Sequence, residues 1–177
     1  MKTLFVGDVC PKLDEVKELF AAKATETLFS DTVSLFEGND INFVNLECAL
    51  TESEKAIEKF GPNLKAPAET AEVLKSVGVT VCGVSNNHIF DFGVEGWKDT
   101  LKAFEKAGMD WTGFGDNYED SRRNYVVEKD GETVCIIAVC EHEYTYALDD
   151  RMGARPFDCY DTYTSDRCIQ RTVPYRH

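Results

Sequence analysis

Histidine and paired cysteine motifs are scarce in this sequence. Among its 177 residues there are three histidines, and none of its seven cysteines forms a Cys-x-x-Cys pair. A structural zinc site of the Cys/His type therefore has too few ligands. Several cysteines lie in or beside apolar runs, where a thiol behaves as a small buried hydrophobic group: Cys48, Cys82, Cys135 and Cys140. Seven cysteines cannot all pair, and we expect reduced thiols in a reducing compartment.

Long apolar runs are also missing near the N-terminus. The first apolar stretch, Thr3 to Val6, is interrupted at once by Gly7 and Asp8. It is too short for the core of a signal peptide and far too short to span a bilayer. The sequence as written predicts a cytoplasmic protein with no membrane segment.

Positive charge is in deficit. Lysine and arginine total 19 against 32 acidic residues, which gives a net charge of −13. Such a chain repels the phosphate backbone of nucleic acid and anionic membrane surfaces. We therefore expect no nucleic-acid partner, and an anionic substrate requires a metal ion or a local basic patch.

Apolar runs alternate with stretches of helical spacing. Strands are predicted at residues 4–6, 41–46 and 77–84, with helices around residues 16–23, 68–74 and 94–107, and Gly108 marks the end of the third helix. This alternation is typical of βαβ units with right-handed crossovers and a largely parallel sheet. The fold class is therefore α/β.

The later part of the predicted domain differs in its strand pattern. Residues 111–115 supply a fourth strand, and Asp130-Gly131 between two β-rich runs predicts a hairpin that makes the sheet mixed. The composition changes again after about residue 160. We therefore predict one domain over residues 1–160 and an atypical tail over residues 161–177.

Polar residues follow three of the predicted strands. They are Gly7-Asp8, Asn45-Leu46-Glu47 and the run from Ser85 to His88. Ligands of open α/β sheets bind outside the carboxyl ends of the strands, so Asp8, Glu47 and Asn87 are expected to face one crevice. Carboxylates and an amide oxygen suit divalent cations such as Mn²⁺, Mg²⁺ and Fe²⁺, and His88 is placed to donate a proton to a leaving group.

Each of these features also has a structural interpretation. Gly-Asp after a strand is a common turn, Glu47 fits a solvated strand end or a helix-capping acid, and Asn86-Asn87-His88 fits an Asn-rich turn with a hydrogen-bonded histidine. His142, in the polar segment after Cys140, fits either a ligand or substrate contact or an ordinary loop.

Together the motifs resemble those of the CapA-type poly-γ-glutamate capsule-synthesis family. The resemblance covers roughly residues 1–140 and is carried by Gly7-Asp8-Val9, Asn45-Leu46-Glu47, Leu64-Lys65-Ala66-Pro67, Ser85-Asn86-Asn87-His88 with Asp91-Phe92-Gly93, and Gly113-Phe114-Gly115-Asp116-Asn117. That family is similar to the calcineurin-like metallophosphoesterases, which have a layered α/β sandwich and a binuclear metal site.

The resemblance implies specific roles. Asp8 and Asn87 become metal ligands, Glu47 the bridging carboxylate, His88 the proton donor and Asp91 the support of His88 or of its loop, while Lys65 and Asn45 line the substrate side. The implied cofactor is a pair of divalent ions, Mn, Fe, Zn or Mg. Implied partners are an anionic polymer or phosphorylated small molecule and other capsule-synthesis proteins; relatives are often membrane-anchored.

Two departures limit what the resemblance implies. The Asn-Leu-Glu form differs from the Gly-Asp-x-x-Asp pattern of ordinary phosphoesterases, and the later histidine loops of both families are missing. The sequence thus predicts only the first part of the fold, as expected of a truncated chain. Three functional interpretations follow: a metal-dependent phosphoester hydrolase, a non-catalytic scaffold or binding protein of a polymer-synthesis assembly, and an inactive fragment.

Overall fold

The computed structural model describes residues 1–141 and 144–157, and the fold is given for that part of the chain. The strands are β1 Thr3–Val9, β2 Ile41–Leu46, β3 Ala49–Leu50, β4 Lys65–Ala66, β5 Val81–Gly83, β6 Asp110–Thr112, β7 Phe114–Gly115, β8 Tyr125–Lys129, β9 Glu132–Ile136, β10 Cys140–Glu141, β11 Gly153–Ala154 and β12 Pro156–Phe157. The helices are α1 Asp14–Ala21, α2 Thr25–Phe29, α3 Glu69–Ser76, α4 Gly93–Ala107 and α5 Tyr118–Ser121, with a 3₁₀ helix at Ser30–Leu35.

The main sheet has four strands in the order β1-β2-β5-β6. β1 and β2 pair in parallel, and helices connect successive strands of the sheet, as βαβ units require. The predicted α/β class, with a parallel sheet of βαβ units consistent with a metallophosphoesterase-like fold, is confirmed.

The first strand is longer than predicted and carries a bulge. Phe5 pairs with Phe43 and Asp8 pairs with Asn45, so three steps along β1 match two steps along β2. Asp8 therefore lies within β1 and not in the loop after it. A bulge adds one residue to one strand and turns the following side chains, and this sets the direction of Asp8.

The predicted helices over residues 16–23, 68–74 and 94–107 are all present. In α4, Trp97 and Phe104 are buried on one face, as the spacing indicates. Gly108 caps the helix with a left-handed backbone, at φ 61°. Residues with a Cβ rarely adopt that conformation, which explains the glycine at this position.

Two predicted strands are shorter than expected, for the same physical reason. Residues 77 and 78 form the turn that ends α3, with Gly78 at φ 103°, residues 79 and 80 are irregular, and only Val81–Gly83 is a strand. Gly113, at φ 102°, ends β6, so residues 111–115 are divided between β6 and β7. β7 then pairs with β11 in a separate antiparallel sheet. A positive φ interrupts an extended backbone.

The predicted hairpin is confirmed. β8 and β9 pair antiparallel, with Tyr125 opposite Ile136 at one end and Lys129 opposite Glu132 at the other. They form a two-stranded sheet of their own. Asp130 and Gly131 have φ of 52° and 78°, the positive pair that a two-residue hairpin turn requires. Cys135, on β9, is exposed, so the prediction of a buried thiol is wrong there; Cys140 is half-buried, whereas Cys48 and Cys82 are buried as predicted.

Residue contacts divide the chain into two units. The larger unit comprises Lys2–Cys82 and His88–Asp110, and its core includes Ile41, Leu46, Leu74 and Trp97, each no more than 2% exposed. Among the described residues, the smaller unit comprises Met1, Gly83–Asn87 and residues 111–141 and 144–157. No helix among the described residues has the length and apolar character needed to cross a membrane. His142 and the predicted tail, residues 161–177, lie outside the described residues.

Candidate metal and acid-base site

Two carboxylates lie side by side at the carboxyl ends of β1 and β2. Asp8 pairs with Asn45 across the strands, and Asn45 Nδ2 donates a hydrogen bond of 2.7 Å to Asp8 Oδ1. Glu47 follows β2 directly, and its backbone N–H donates to Val9 O at 3.0 Å. The strand pairing therefore brings Asp8, Asn45 and Glu47 to one end of the sheet.

Glu47 has an altered acidity in this setting. Its pKa is raised, first by burial and then by the charge of Asp8 and a hydrogen bond between the two carboxyl groups. His88 acts in the opposite direction through its positive charge. Two neighbouring carboxylates repel each other, and a cation between them relieves that repulsion.

His88 is oriented by a buried aspartate three residues later. His88 Nδ1 lies 2.8 Å from Asp91 Oδ2, and Asp91 is fully buried. Asp91 Oδ2 also accepts a 2.7 Å hydrogen bond from the backbone N–H of Leu64. A carboxylate bound to one imidazole nitrogen fixes the ring and leaves the other nitrogen for chemistry. The structure thus places Asp91 against His88, and the catalytic role of both residues stays a prediction.

Lys59 is a member of this cluster that the sequence did not reveal. Its ammonium group forms an ion pair with Asp91 Oδ1 and lies 3.1 Å from His88 Nδ1. The Lys59 side chain is 2% exposed. It comes from the irregular segment 51–64, which has no periodicity, and the only available signal was a lysine a few residues before the Leu64-Lys65-Ala66-Pro67 motif.

Asn87, the third predicted metal ligand, belongs to the smaller unit. It ends the segment Gly83–Asn87, in which Val84 N–H donates to Thr112 O at 3.0 Å and Ser85 Oγ donates to Arg155 O at 3.1 Å. Its participation in a site with Asp8 and Glu47 stays a prediction.

Lys65, predicted on the substrate side, is held by a neighbouring loop. Its ammonium group donates to Ser53 O at 2.9 Å and to Glu54 Oε1 at 2.6 Å, and it lies 5.3 Å from the centre of the Phe92 ring. Lys65 also lines a surface cavity of about 240 Å³ together with Lys17, Glu52 and Pro67. Its role toward a substrate stays a prediction.

A pair of thiols adjoins the carboxylates. Cys10 follows β1 and Cys48 follows Glu47, and their side chains are hydrogen-bonded. That bond, together with burial, raises the pKa of Cys48 well above its ordinary value, whereas the same bond lowers the pKa of Cys10. Cys48 therefore stays a thiol at neutral pH, as expected of a buried cysteine.

The donor set determines what the site can hold. Asp8 and Glu47 offer oxygen ligands of the kind that divalent cations prefer, and the raised pKa of Glu47, caused by burial and by the charge of Asp8, shows that positive charge is favourable there. Within residues 1–141 and 144–157, however, no group of three or more His, Cys, Asp or Glu side chains is arranged to hold a metal ion. The carboxylate pair fits as one part of a metal site that needs further ligands.

Comparison with known proteins gives consistent relatives. A 36% identical segment of 118 residues is shared with the capsule biosynthesis protein CapA of Bacillus anthracis, covering 65% of this chain and 28% of that protein. The PGA biosynthesis protein CapA of Bacillus subtilis strain 168 is 29% identical over 140 residues, 75% of this chain and 35% of that protein. A probable polyglutamine synthesis accessory protein of Mycobacterium tuberculosis is 30% identical over 88 residues, 50% of this chain and 23% of that protein.

The chain thus spans about a third of the length of the first two relatives. The matched segment covers 28% of the first and 35% of the second. The family model described as bacterial capsule synthesis protein PGA_cap matches residues 2–166, nearly the whole chain. That range contains every motif on which the resemblance was based. The chain belongs to the PGA_cap family of bacterial capsule synthesis proteins.

Proposed function

We propose that this chain takes part in the synthesis of an anionic capsule polymer of the poly-γ-glutamate type and carries part of a metal-dependent hydrolytic site. The observation that carries the proposal is the Asp8–Glu47 carboxyl pair, whose neighbour His88 is held by Asp91. The substrate class is the polymer or a phosphorylated small molecule. The names of the relatives support the polymer, since they refer to capsule, PGA and polyglutamine synthesis.

The residues of the proposed site have two chemical roles, metal binding and proton donation. Asp8, Glu47 and Asn87 would hold divalent ions, which when bound supply positive charge for a phosphoryl group and an acidified water. Asn45 fixes the Asp8 carboxylate through its 2.7 Å hydrogen bond. Asp91 fixes the ring of His88, so that Nε2 can deliver a proton to a leaving oxygen.

Metal binding tests this proposal directly. Purified protein titrated with Mn²⁺ should bind about two ions per chain, the number of a binuclear site. Asp8→Ala and Glu47→Ala should each weaken binding strongly. Asp14→Ala is the matched control, because the Asp14 carboxylate is 94% exposed at the start of α1. Equal binding by all three variants would exclude the Asp8–Glu47 pair as the metal site.

A non-catalytic role is the second candidate. It is favoured by the lack of a complete His, Cys, Asp and Glu cluster among the described residues. In this interpretation the chain is a scaffold or binding protein of a polymer-synthesis assembly, or an inactive fragment. A folded protein that binds no Mn²⁺ but retains poly-γ-glutamate on a column would support the scaffold, whereas a molten or insoluble product would support the fragment.

A further inference from the structure

Lys59 is buried where the sequence pattern favours exposure. Its side chain is 2% exposed, whereas Phe60, the next residue, is fully exposed. A lysine is almost never buried unless it is paired, and an aromatic ring normally takes the interior position. The backbone here turns the charge inward and the ring outward. This reversal places the Lys59 side-chain nitrogen beside Asp91 and His88.

Asp91 connects this lysine to the rest of the cluster. Its Oδ1 pairs with Lys59, its Oδ2 accepts from Leu64 N–H at 2.7 Å and lies 2.8 Å from His88 Nδ1, and its backbone oxygen accepts from Ile57 N–H at 2.9 Å. A fully buried carboxylate is costly unless its charge is compensated. Lys59 supplies that compensation, and the contacts of Asp91 bind segment 51–64 to the turn that carries His88.

We propose that Lys59 is a positioning residue of the candidate site, which holds Asp91 and through it the ring of His88. Lysine only donates hydrogen bonds and a carboxylate only accepts them, and both lie within hydrogen-bond distance of the same nitrogen, Nδ1 of His88. The balance between the two groups fixes the ring orientation and the nitrogen that carries the proton. This inference rests on the proposed function only where it gives His88 a catalytic role, since the contacts of Lys59 with Asp91 and His88 exist without a substrate.

Lys59→Met tests the inference because it removes the charge and keeps a side chain of similar length. Lys55→Met is the matched control: Lys55 lies in the same segment, is 82% exposed and pairs with Glu95 at 2.9 Å. The probes are backbone hydrogen exchange at Leu64 and Ile57 and the ring ¹⁵N resonances of His88, which His88→Gln assigns among the three histidines of the chain.

In Lys59→Met, exchange at Leu64 should accelerate at least about tenfold, the factor equivalent to about 1.4 kcal/mol. The His88 ring resonances should shift, while Lys55→Met leaves both probes unchanged. Native exchange and native His88 resonances in Lys59→Met would overturn the inference.

A second variant covers the case in which Lys59→Met does not fold. The double substitution Lys59→Met with Asp91→Asn removes both buried charges and should restore folding, with the His88 resonances still shifted. A folded double variant with native His88 resonances would overturn the inference. The probes need neither metal nor substrate, so a failure of Mn²⁺ binding contradicts the proposed function and leaves this result standing.

Discussion

At the scale of single residues, the candidate site combines two carboxyl groups with a supported imidazole. Asp8 is held by Asn45, and His88 is held by Asp91, which is itself paired with Lys59. Each reactive group thus has a neighbour that restricts its rotation. Such restriction is what a site needs in order to present atoms at fixed distances from a substrate.

The proton-donor role of His88 predicts a specific loss. If the chain hydrolyses an aryl phosphodiester in the presence of Mn²⁺, His88→Ala should lower kcat by about 10²–10⁴-fold, the usual contribution of a general acid. Lys98→Ala, at an exposed position of α4, should leave the rate unchanged. Steady-state rates for both variants measure the effect, and an unchanged kcat in His88→Ala would remove this residue from the chemistry.

The thiols give a prediction that depends on burial. Burial raises the pKa of Cys82 to about 12, so at pH 8 about one part in ten thousand of this thiol is the reactive thiolate. Cys135 is exposed on β9. Iodoacetamide should therefore label Cys135 in the native protein and Cys82 only after unfolding. Peptide mass spectrometry measures both, and equal native labelling would contradict the buried position of Cys82.

At the scale of elements, the buried hydroxyl group of Thr100 links α4 to β3. Thr100 Oγ1 accepts from Leu50 N–H at 2.9 Å and donates to Gly96 O at 2.8 Å. Gly96 is required within its own segment, because a Cβ at this position would lie 2.6 Å from Phe92 Cβ, whereas Ala49 Cβ on β3 would be at an ordinary contact distance of 3.5 Å. The Thr100 hydroxyl group therefore provides the polar link between α4 and β3.

Replacing that hydroxyl should destabilise the protein. Thr100→Val keeps the shape and leaves the Leu50 N–H without its acceptor, which costs about 1–3 kcal/mol of unfolding free energy. Thr70→Val is the control, because Thr70 is equally buried in α3 and its Oγ1 has no hydrogen-bond partner among the described residues. Urea denaturation should show a loss only for Thr100→Val, and equal losses would refute the importance of this hydrogen bond.

At the scale of the whole molecule, the excess of acidic residues causes electrostatic repulsion within the folded protein. The net charge is −13, and the ion pairs at exposed positions, such as Lys55–Glu95, contribute little to stability. Mutual repulsion among the remaining carboxylates disfavours the compact state. A cation bound at the Asp8–Glu47 pair would relieve the part of this repulsion that acts between these two side chains.

Salt should therefore stabilise the protein. Raising the ionic strength from about 0.01 M to about 0.15 M shortens the screening length from about 30 Å to about 8 Å and weakens the repulsion. The melting temperature should rise with NaCl over this range, as measured by circular dichroism. An equal osmolality of a neutral solute serves as the control. A melting temperature that falls with NaCl would mean that attractive ion pairs outweigh the repulsion.

Local patterns were sufficient to predict much of the fold. The helices at α1, α3 and α4 and the β8–β9 hairpin follow from apolar spacing and from turn residues such as Gly108 and Gly131, because these signals act over a few residues. The predictions failed at residues 77–80 and at Gly113, where a positive φ interrupts an apolar run. Apolar character alone does not distinguish a strand from the turn beside it.

The sequence by itself predicted the alternation of strands and helices in the main sheet and singled out Asp8, Glu47, Asn87, His88 and Asp91, because residues at strand ends and in one turn are recognisable from their neighbours. Only the tertiary structure decided that a bulge places Asp8 within β1 opposite Asn45, and that Lys59 is buried against Asp91. Both depend on contacts between segments separated by more than 30 residues. Such contacts are set by strand register and by the compensation of buried charge, which leave no periodic trace in the sequence.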